Sequence, residues 1–157
     1  NLGFTPEARD ENTKRLAWMG KILSRNGVTV LIAAVAPMRY YRDRAREWCP
    51  RFVEVWTTAP FEICKERDPK GLYARGERGE INDIAGWHQP YEEPENAEVV
   101  LPTHEFDLET CANMVIAKLK ELGYLSCAGG CGCGCDDGYT AEEQAKVEER
   151  LKDLGYM

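Results

Sequence analysis

A basic excess is missing from this sequence: 20 Lys and Arg stand against 27 Asp and Glu, a net charge of −7 over 157 residues. Such a balance speaks against a general nucleic-acid surface, which is usually basic. It leaves room for a local basic cluster around a small anion. Long apolar runs are missing too. The longest, Val28 to Pro37, is interrupted by Thr29, whereas a membrane-spanning helix needs roughly 20 residues. No membrane partner and no nucleic acid are therefore expected. No basic-then-apolar segment of the signal-peptide kind stands near the start. The cysteines are not spread along the chain as in a secreted disulfide scaffold: Cys127, Cys131, Cys133 and Cys135 crowd into nine residues, and Cys49, Cys64 and Cys111 are scattered. A reducing, cytoplasmic setting is the expectation.

What is present reads as a folded chain. An apolar fraction of 43% is too high for a disordered segment. Thr5-Pro6-Glu7 is a helix start, with a capping hydroxyl, a proline suited to the first helical position and an acid that complements the dipole. Leu16, Met19, Ile22 and Leu23 follow at helical spacing, and Asn26-Gly27 closes the helix. Val28 to Ile32 is apolar on both faces, as parallel strands are. A charged helix from Tyr40 to Trp48 leads to a second strand over Phe52–Trp56, and Thr58-Ala59-Pro60 opens another helix. Residues 68–94, rich in Gly, Pro and charge, suit a lid or binding loop. A short strand from Glu98 to Leu101 and a helix from Leu108 to Leu122 complete residues 1–125. Alternating helices and strands predict an α/β fold with a parallel sheet. Residues 126–138 form a Cys/Gly-rich linker. A capping box at Thr140-Ala141-Glu142-Glu143 begins a C-terminal amphipathic helix within 139–157.

Four stretches go beyond structure: Leu2-Gly3-Phe4 with Arg9-Asp10-Glu11-Asn12; Ala36-Pro37-Met38-Arg39 with Arg42-Asp43; Arg67-Asp68-Pro69-Lys70-Gly71-Leu72-Tyr73; and Gly86 followed by Pro90-Tyr91-Glu92. Phe4, at the mouth of a helix, can stack on a base. Arg9 and Asn12 lie three apart and share one helix face, offering a guanidinium fork and an amide to ribose, phosphate or sulfate oxygens. Lys70, on a Gly-flanked loop, can close over an anion. Together, and in this order, the four stretches resemble the adenylylsulfate kinase family over residues 1–125. That family carries N-L-G-F-S-x-E-D-R-x-E-N, I-S-P-Y-R, R-D-P-K-G-L-Y and F-T-G-I-D-x-P-Y-E.

The resemblance implies a P-loop NTPase-like sheet flanked by helices. It implies transfer of the γ-phosphoryl of Mg-ATP to the 3′-hydroxyl of adenosine 5′-phosphosulfate in sulfate activation. The substrate-binding residues it points to are Phe4, Arg9, Asn12 and Lys70, with Ala36 and Ile84 at positions where the family has Ser and a stacking Phe. Arg67 falls on the lid or nucleotide side, and no catalytic residue is assigned. Mg²⁺ enters with ATP, and a homodimer is a further expectation.

Departures from the family pattern are specific. Ala36 removes a hydroxyl, Met38 an aromatic, and Ile84 a π face worth roughly 1–3 kcal/mol in stacking. Ala85 stands for a Thr and His88 for an Asp, and Trp87 or His88 could supply a ring from the same loop. No G-x-x-x-x-G-K-[ST] string, the loop that grips the phosphates of ATP, occurs in the 157 residues. Because the family places that loop just upstream of its N-L-G-F stretch, and this sequence opens on Asn1, the expectation is an N-terminally truncated domain. It would expose apolar edges and bind ATP only once completed. The alternative is a non-catalytic adenylylsulfate-binding or regulatory remnant; a different P-loop kinase is disfavoured by R-D-P-K-G-L-Y. Cys127, Cys131, Cys133 and Cys135 supply four thiols, enough for Zn²⁺ or Cu(I), or form a plain linker.

Overall fold

Thr5 caps the first helix, α1 (Pro6–Arg25): its Oγ1 accepts from the Ala8 amide at 3.3 Å, and Pro6 occupies the first turn. At the far end the Asn26 amide donates to the Leu23 carbonyl and the Gly27 amide to that of Ser24, and Gly27 takes the left-handed conformation that stops the helix. The computed structural model describes residues 5–125, together with 145, 146, 149, 150 and 152. Phe4, the four clustered cysteines and most of the C-terminal helix lie outside the described residues.

The elements that follow are α2 (Arg39–Trp48), β1 (Val55–Thr58), α3 (Phe61–Arg67), α4 (Leu72–Glu77), β2 (Val99–Pro102) and α5 (Leu108–Glu121). β1 and β2 pair in parallel, Val55 opposite Val99 and Thr58 opposite Pro102. Parallel neighbours require a crossover, which α3, α4 and the loop up to residue 98 provide. On one side Val99, Leu101 and Cys111 form a buried cluster, with Val53, Met114 and Val115 against it. Asp107 caps α5 by accepting from the Thr110 amide at 2.8 Å.

A second packed zone joins α1 to α2. Ala17 and Tyr41 are each 3% exposed. The Tyr41 hydroxyl donates to the Pro6 carbonyl at 3.2 Å, and Arg44 Nη2 donates to Asp10 Oδ1 at 2.8 Å. Gly20 is where side chains press on α1: a Cβ there would meet Ile32 Cδ1 at 3.3 Å and Cys49 Sγ at 3.7 Å. Burial pushes the Tyr41 phenol up to about 12, with Tyr40 and Asp10 adding to the effect and Arg44 opposing it.

Three expectations change. Residues 28–32 form no ladder among the described residues. A strand is assigned only where it pairs, and no described strand pairs with this segment. Its apolar side chains are accordingly exposed, Leu31 at 91%. The strand placed at 52–56 lies at Val55–Thr58, because pairing with β2 rather than the apolar run sets its ends. Within the expected loop 68–94, α4 forms, because the Asp68 carboxylate accepts from the Tyr73 and Ala74 amides at 3.2 and 3.0 Å. Those bonds outweigh the partial desolvation of Asp68 and hold its pKa below the usual carboxylate value.

Candidate active site

A cleft of about 210 Å³ lies between the start of α1, the start of α2 and the 83–90 loop. Pro6, Arg9, Pro37, Met38, Tyr40, Tyr41, Gln89 and Pro90 line it. Its wall is largely apolar and aromatic, with one guanidinium at its edge. Arg9 extends from the second turn of α1 and donates through Nη2 to the Asp83 carbonyl, spanning 74 residues of sequence. Gln89 Nε2 donates to Asp83 Oδ1 at 2.9 Å, closing the same loop on itself. A flat ring flanked by an anion is the kind of ligand such a surface suits: apolar faces for the ring, a fork of donors for the charge.

Of the sequence-derived residues, Arg9 lines this cleft, whereas Asn12, Ala36, Arg67, Lys70 and Ile84 are not among its lining residues. Asn12 is exposed on α1, one turn beyond Arg9. Ile84 follows Asp83, and its carbonyl accepts from the Trp87, His88 and Gln89 amides. Its side chain packs on α4 rather than into the cleft, since a Cβ on Gly76 would lie 2.9 Å from Ile84 Cδ1. Lys70 sits on the exposed turn between α3 and α4, just before Gly71 at φ 64°. Arg67 turns the other way. It donates to the Thr103 carbonyl at 2.7 Å and to its hydroxyl at 3.2 Å, fastening α3 to the loop after β2.

Neither Trp87 nor His88, the rings expected from this loop, is among the residues that line the cleft. Trp87 stacks on Tyr73 and His88, at centroid distances of 6.3 and 4.3 Å, and meets Phe61 edge-on. The cluster holds the 84–89 turn against α3 and α4. Burial raises the Tyr73 phenol, and the charges of Cys64 and Asp68 raise it further.

Ala36 has φ 38°, a left-handed conformation that L-residues adopt at a cost of roughly 1–2 kcal/mol; preceding a proline adds to the restriction. The turn it makes delivers Pro37 and Met38 to the cleft. Met38 occupies the N-cap position of α2 without a side-chain cap bond. Glu92, from a distant segment, supplies the acceptor instead: its Oε2 takes the Arg39 amide at 2.7 Å.

Beside the cleft lies a charged network that sequence reasoning passed over, although Arg42 and Glu92 stood within the stretches singled out. Arg42 Nε approaches Glu54 Oε1 at 2.7 Å, an ionic contact off the line of a good hydrogen bond, with both side chains 11% exposed. Arg46 bridges Glu54, at 3.1 Å, and Glu98. Glu98 Oε2 also accepts from the Glu54 amide at 2.7 Å. Burial works to raise the Glu98 carboxyl, but the bonds from Arg46 and the backbone prevail and hold it below its ordinary value. A charged residue amid the apolar run Phe52–Trp56 was the available signal for Glu54.

For Mg-ATP the described residues offer no cradle. No group of three or more His, Cys, Asp or Glu side chains converges among them, and no phosphate-loop string is present, so none of them is assigned to holding the metal. None of the helices among the described residues is long and apolar enough to cross a membrane.

Parallel strands joined through helices make this an α/β protein of the P-loop NTPase kind. Residues 1–102 match the family described as adenylylsulphate kinase. A probable adenylyl-sulfate kinase of Pyrococcus abyssi is 45% identical over 125 residues, 80% of this chain and 72% of that protein. The adenylyl-sulfate kinase of Halothermothrix orenii is 42% identical over 126 residues, covering 80% and 68%. Among solved structures, the APS kinase of Mycobacterium tuberculosis in complex with AMPPNP and APS superposes with a TM-score of 0.71 at 35% identity, over 76% of this chain and 70% of that one. The chain belongs to the adenylylsulfate kinase family.

Proposed function

We propose that this polypeptide forms the acceptor side of an adenylylsulfate kinase. The cleft holds adenosine 5′-phosphosulfate and presents its 3′-hydroxyl to the γ-phosphoryl of Mg-ATP, giving the 3′-phosphorylated product in sulfate activation. The observation that carries the reading is Arg9, fixed at the edge of an apolar cleft by the Asp83 carbonyl. Kinship supports it, because a relative of 35% identity was solved with APS bound.

Arg9 and Asn12 supply donors to the anion and ribose. Phe4 contributes a stacking ring, Lys70 a cation on the α3–α4 turn, and Ala36 and Ile84 shape the turns that flank the cleft. Arg67 stands on the lid or nucleotide side, where it fastens α3 to Thr103. Binding and orientation are the work of these residues, as suits phosphoryl transfer, where positioning and charge stabilisation dominate. The phosphate-gripping element for ATP is not among the 157 residues, so we assign no nucleotide-triphosphate site to them. A reducing, cytoplasmic setting is part of the same reading, supported by the way the seven cysteines are distributed along the sequence. For Cys127, Cys131, Cys133 and Cys135, spacing alone supports a soft-metal site, and native mass spectrometry with Zn²⁺ decides it. A homodimer is part of the same reading, and sedimentation tests it.

Calorimetric titration with adenosine 5′-phosphosulfate tests the central point. Arg9→Ala removes charged hydrogen bonds worth about 1.5–3 kcal/mol, so affinity falls roughly ten- to hundredfold. Undiminished binding by the variant refutes the assignment.

A further inference from the structure

We infer that Arg42 is a positioning residue for the cleft, holding the two loops that form its walls at a fixed separation. This inference rests on the cleft's being the acceptor site. Arg42 Nη1 donates to the Ala36 carbonyl at 2.6 Å, and Nη2 to the Glu92 carbonyl at 2.6 Å. Nε faces Glu54. One plate of the guanidinium thus spans from the residue before Pro37 to a residue two beyond Pro90, and both prolines line the cleft. The Tyr91 ring lies 5.8 Å from the guanidinium carbon.

Glu92 returns the tie twice. Its amide donates to the Pro37 carbonyl at 2.8 Å, and its carboxylate caps α2 through the Arg39 amide. Arg39 in turn donates to the Glu93 carbonyl at 2.8 Å and pairs with Glu95 at 2.8 Å. The turn so held is the one that contains Ala36 in its left-handed conformation. A turn with that strain keeps its shape only while its surroundings over-determine it, and Arg42 is the side chain that grips its carbonyl. Arginine suits the task because its fork is planar and rigid; a lysine ammonium is a single point of charge and cannot span both carbonyls in the same way.

The experiment compares the wild-type chain with Arg42→Lys and Arg42→Met by calorimetric titration with adenosine 5′-phosphosulfate and by amide hydrogen exchange. In Arg42→Lys, which retains the charge facing Glu54, affinity falls about tenfold while the unfolding midpoint stays close to wild type. Exchange at the Arg39 and Glu92 amides accelerates, and exchange at Cys111, in the other packed zone, does not. A merely structural pair would instead speed all of these amides together. Unchanged affinity in Arg42→Lys overturns the inference and leaves the acceptor site standing. If the wild-type chain itself does not bind the nucleotide, the acceptor reading falls, and Arg42 loses its role for the cleft with it; exchange at Arg39 and Glu92 then reports only whether the tie exists. Should Arg42→Met fail to fold, the Lys variant still decides.

Discussion

Two faces of this molecule are built on opposite terms. Around α2 and the 90–98 segment, charges are matched: Arg39, Arg42 and Arg46 meet Glu92, Glu95, Glu54 and Glu98, and backbone carbonyls take up further donors. Along the second half of α1 and residues 28–35, large apolar side chains face outward, Met19 at 52%, Leu31 at 91% and Val35 at 60% exposed. The first face is tied together within the described residues and flanks the candidate site. On the second, apolar groups have no described neighbour to cover them. A site can therefore be well ordered by local polar ties while the adjoining apolar surface remains open.

The strongest way to break the contrast is to remove the hub of the charged face. Glu54→Ala leaves Arg42 and Arg46 without their shared carboxylate in a largely buried place, and a loss of about 3 kcal/mol is expected, at the low end for broken buried pairs. Urea unfolding measures it, and a loss under 1 kcal/mol would contradict the network's role. Gly76→Ala comes next. The new Cβ would stand 2.8 Å from Trp87 Cζ3, 2.9 Å from Ile84 Cδ1 and 3.3 Å from His88 Cε1. Overpacking of this kind costs about 1–3 kcal/mol. Displacement of Trp87 should appear in its fluorescence before the whole chain unfolds.

A smaller effect is set by pH. The Glu98 carboxyl titrates below its ordinary value of 4.5 when folded, so the unfolded chain binds the proton more readily. Its contribution is full above 4.5 and is lost as pH falls through the lowered value. Glu98→Gln should flatten that part of the acid-unfolding profile; an unchanged profile would show that other carboxylates govern it. The least effect is expected on the open face. Leu31→Glu should alter the stability of this 157-residue chain by less than about 0.5 kcal/mol, as exposed positions generally do. A large loss would mean that the face is covered in solution.

Much of this was legible from sequence wherever the signal was local. Thr5-Pro6 and Asn26-Gly27 mark the ends of α1 because caps are chosen by the residues that make them. The R-D-P-K-G-L-Y stretch read as a Gly-flanked loop; its Asp68 accepts from two amides of α4, a helix too short to show a period. Pairing was less legible. Val28–Ile32 has the composition of a strand, but a ladder depends on a second segment that composition does not reveal. The cleft was half visible: Arg9 and the Pro37 and Pro90 turns could be named in advance. The orientation of Ile84 toward Gly76 and of Arg67 toward Thr103 depends on contacts between segments distant in sequence. Glu54 escaped notice for the same reason, since its partners come from a helix and from the residue just before β2.

The parallel pairing of β1 with β2 has a consequence for the order of events in folding. The Glu54–Glu98 contact at the foot of the ladder closes a loop of 44 residues, and α3, α4, the aromatic cluster and the far wall of the cleft all lie within that loop. Closing a span of this length costs about (3/2)RT ln n in chain entropy, before any contact made by closure repays it. The α1–α2 pair is shorter in span and can dock earlier, leaving one wall of the cleft waiting for the other. The ligand site should thus be among the last parts of the molecule to mature, appearing in a single late step when the two strands zip together.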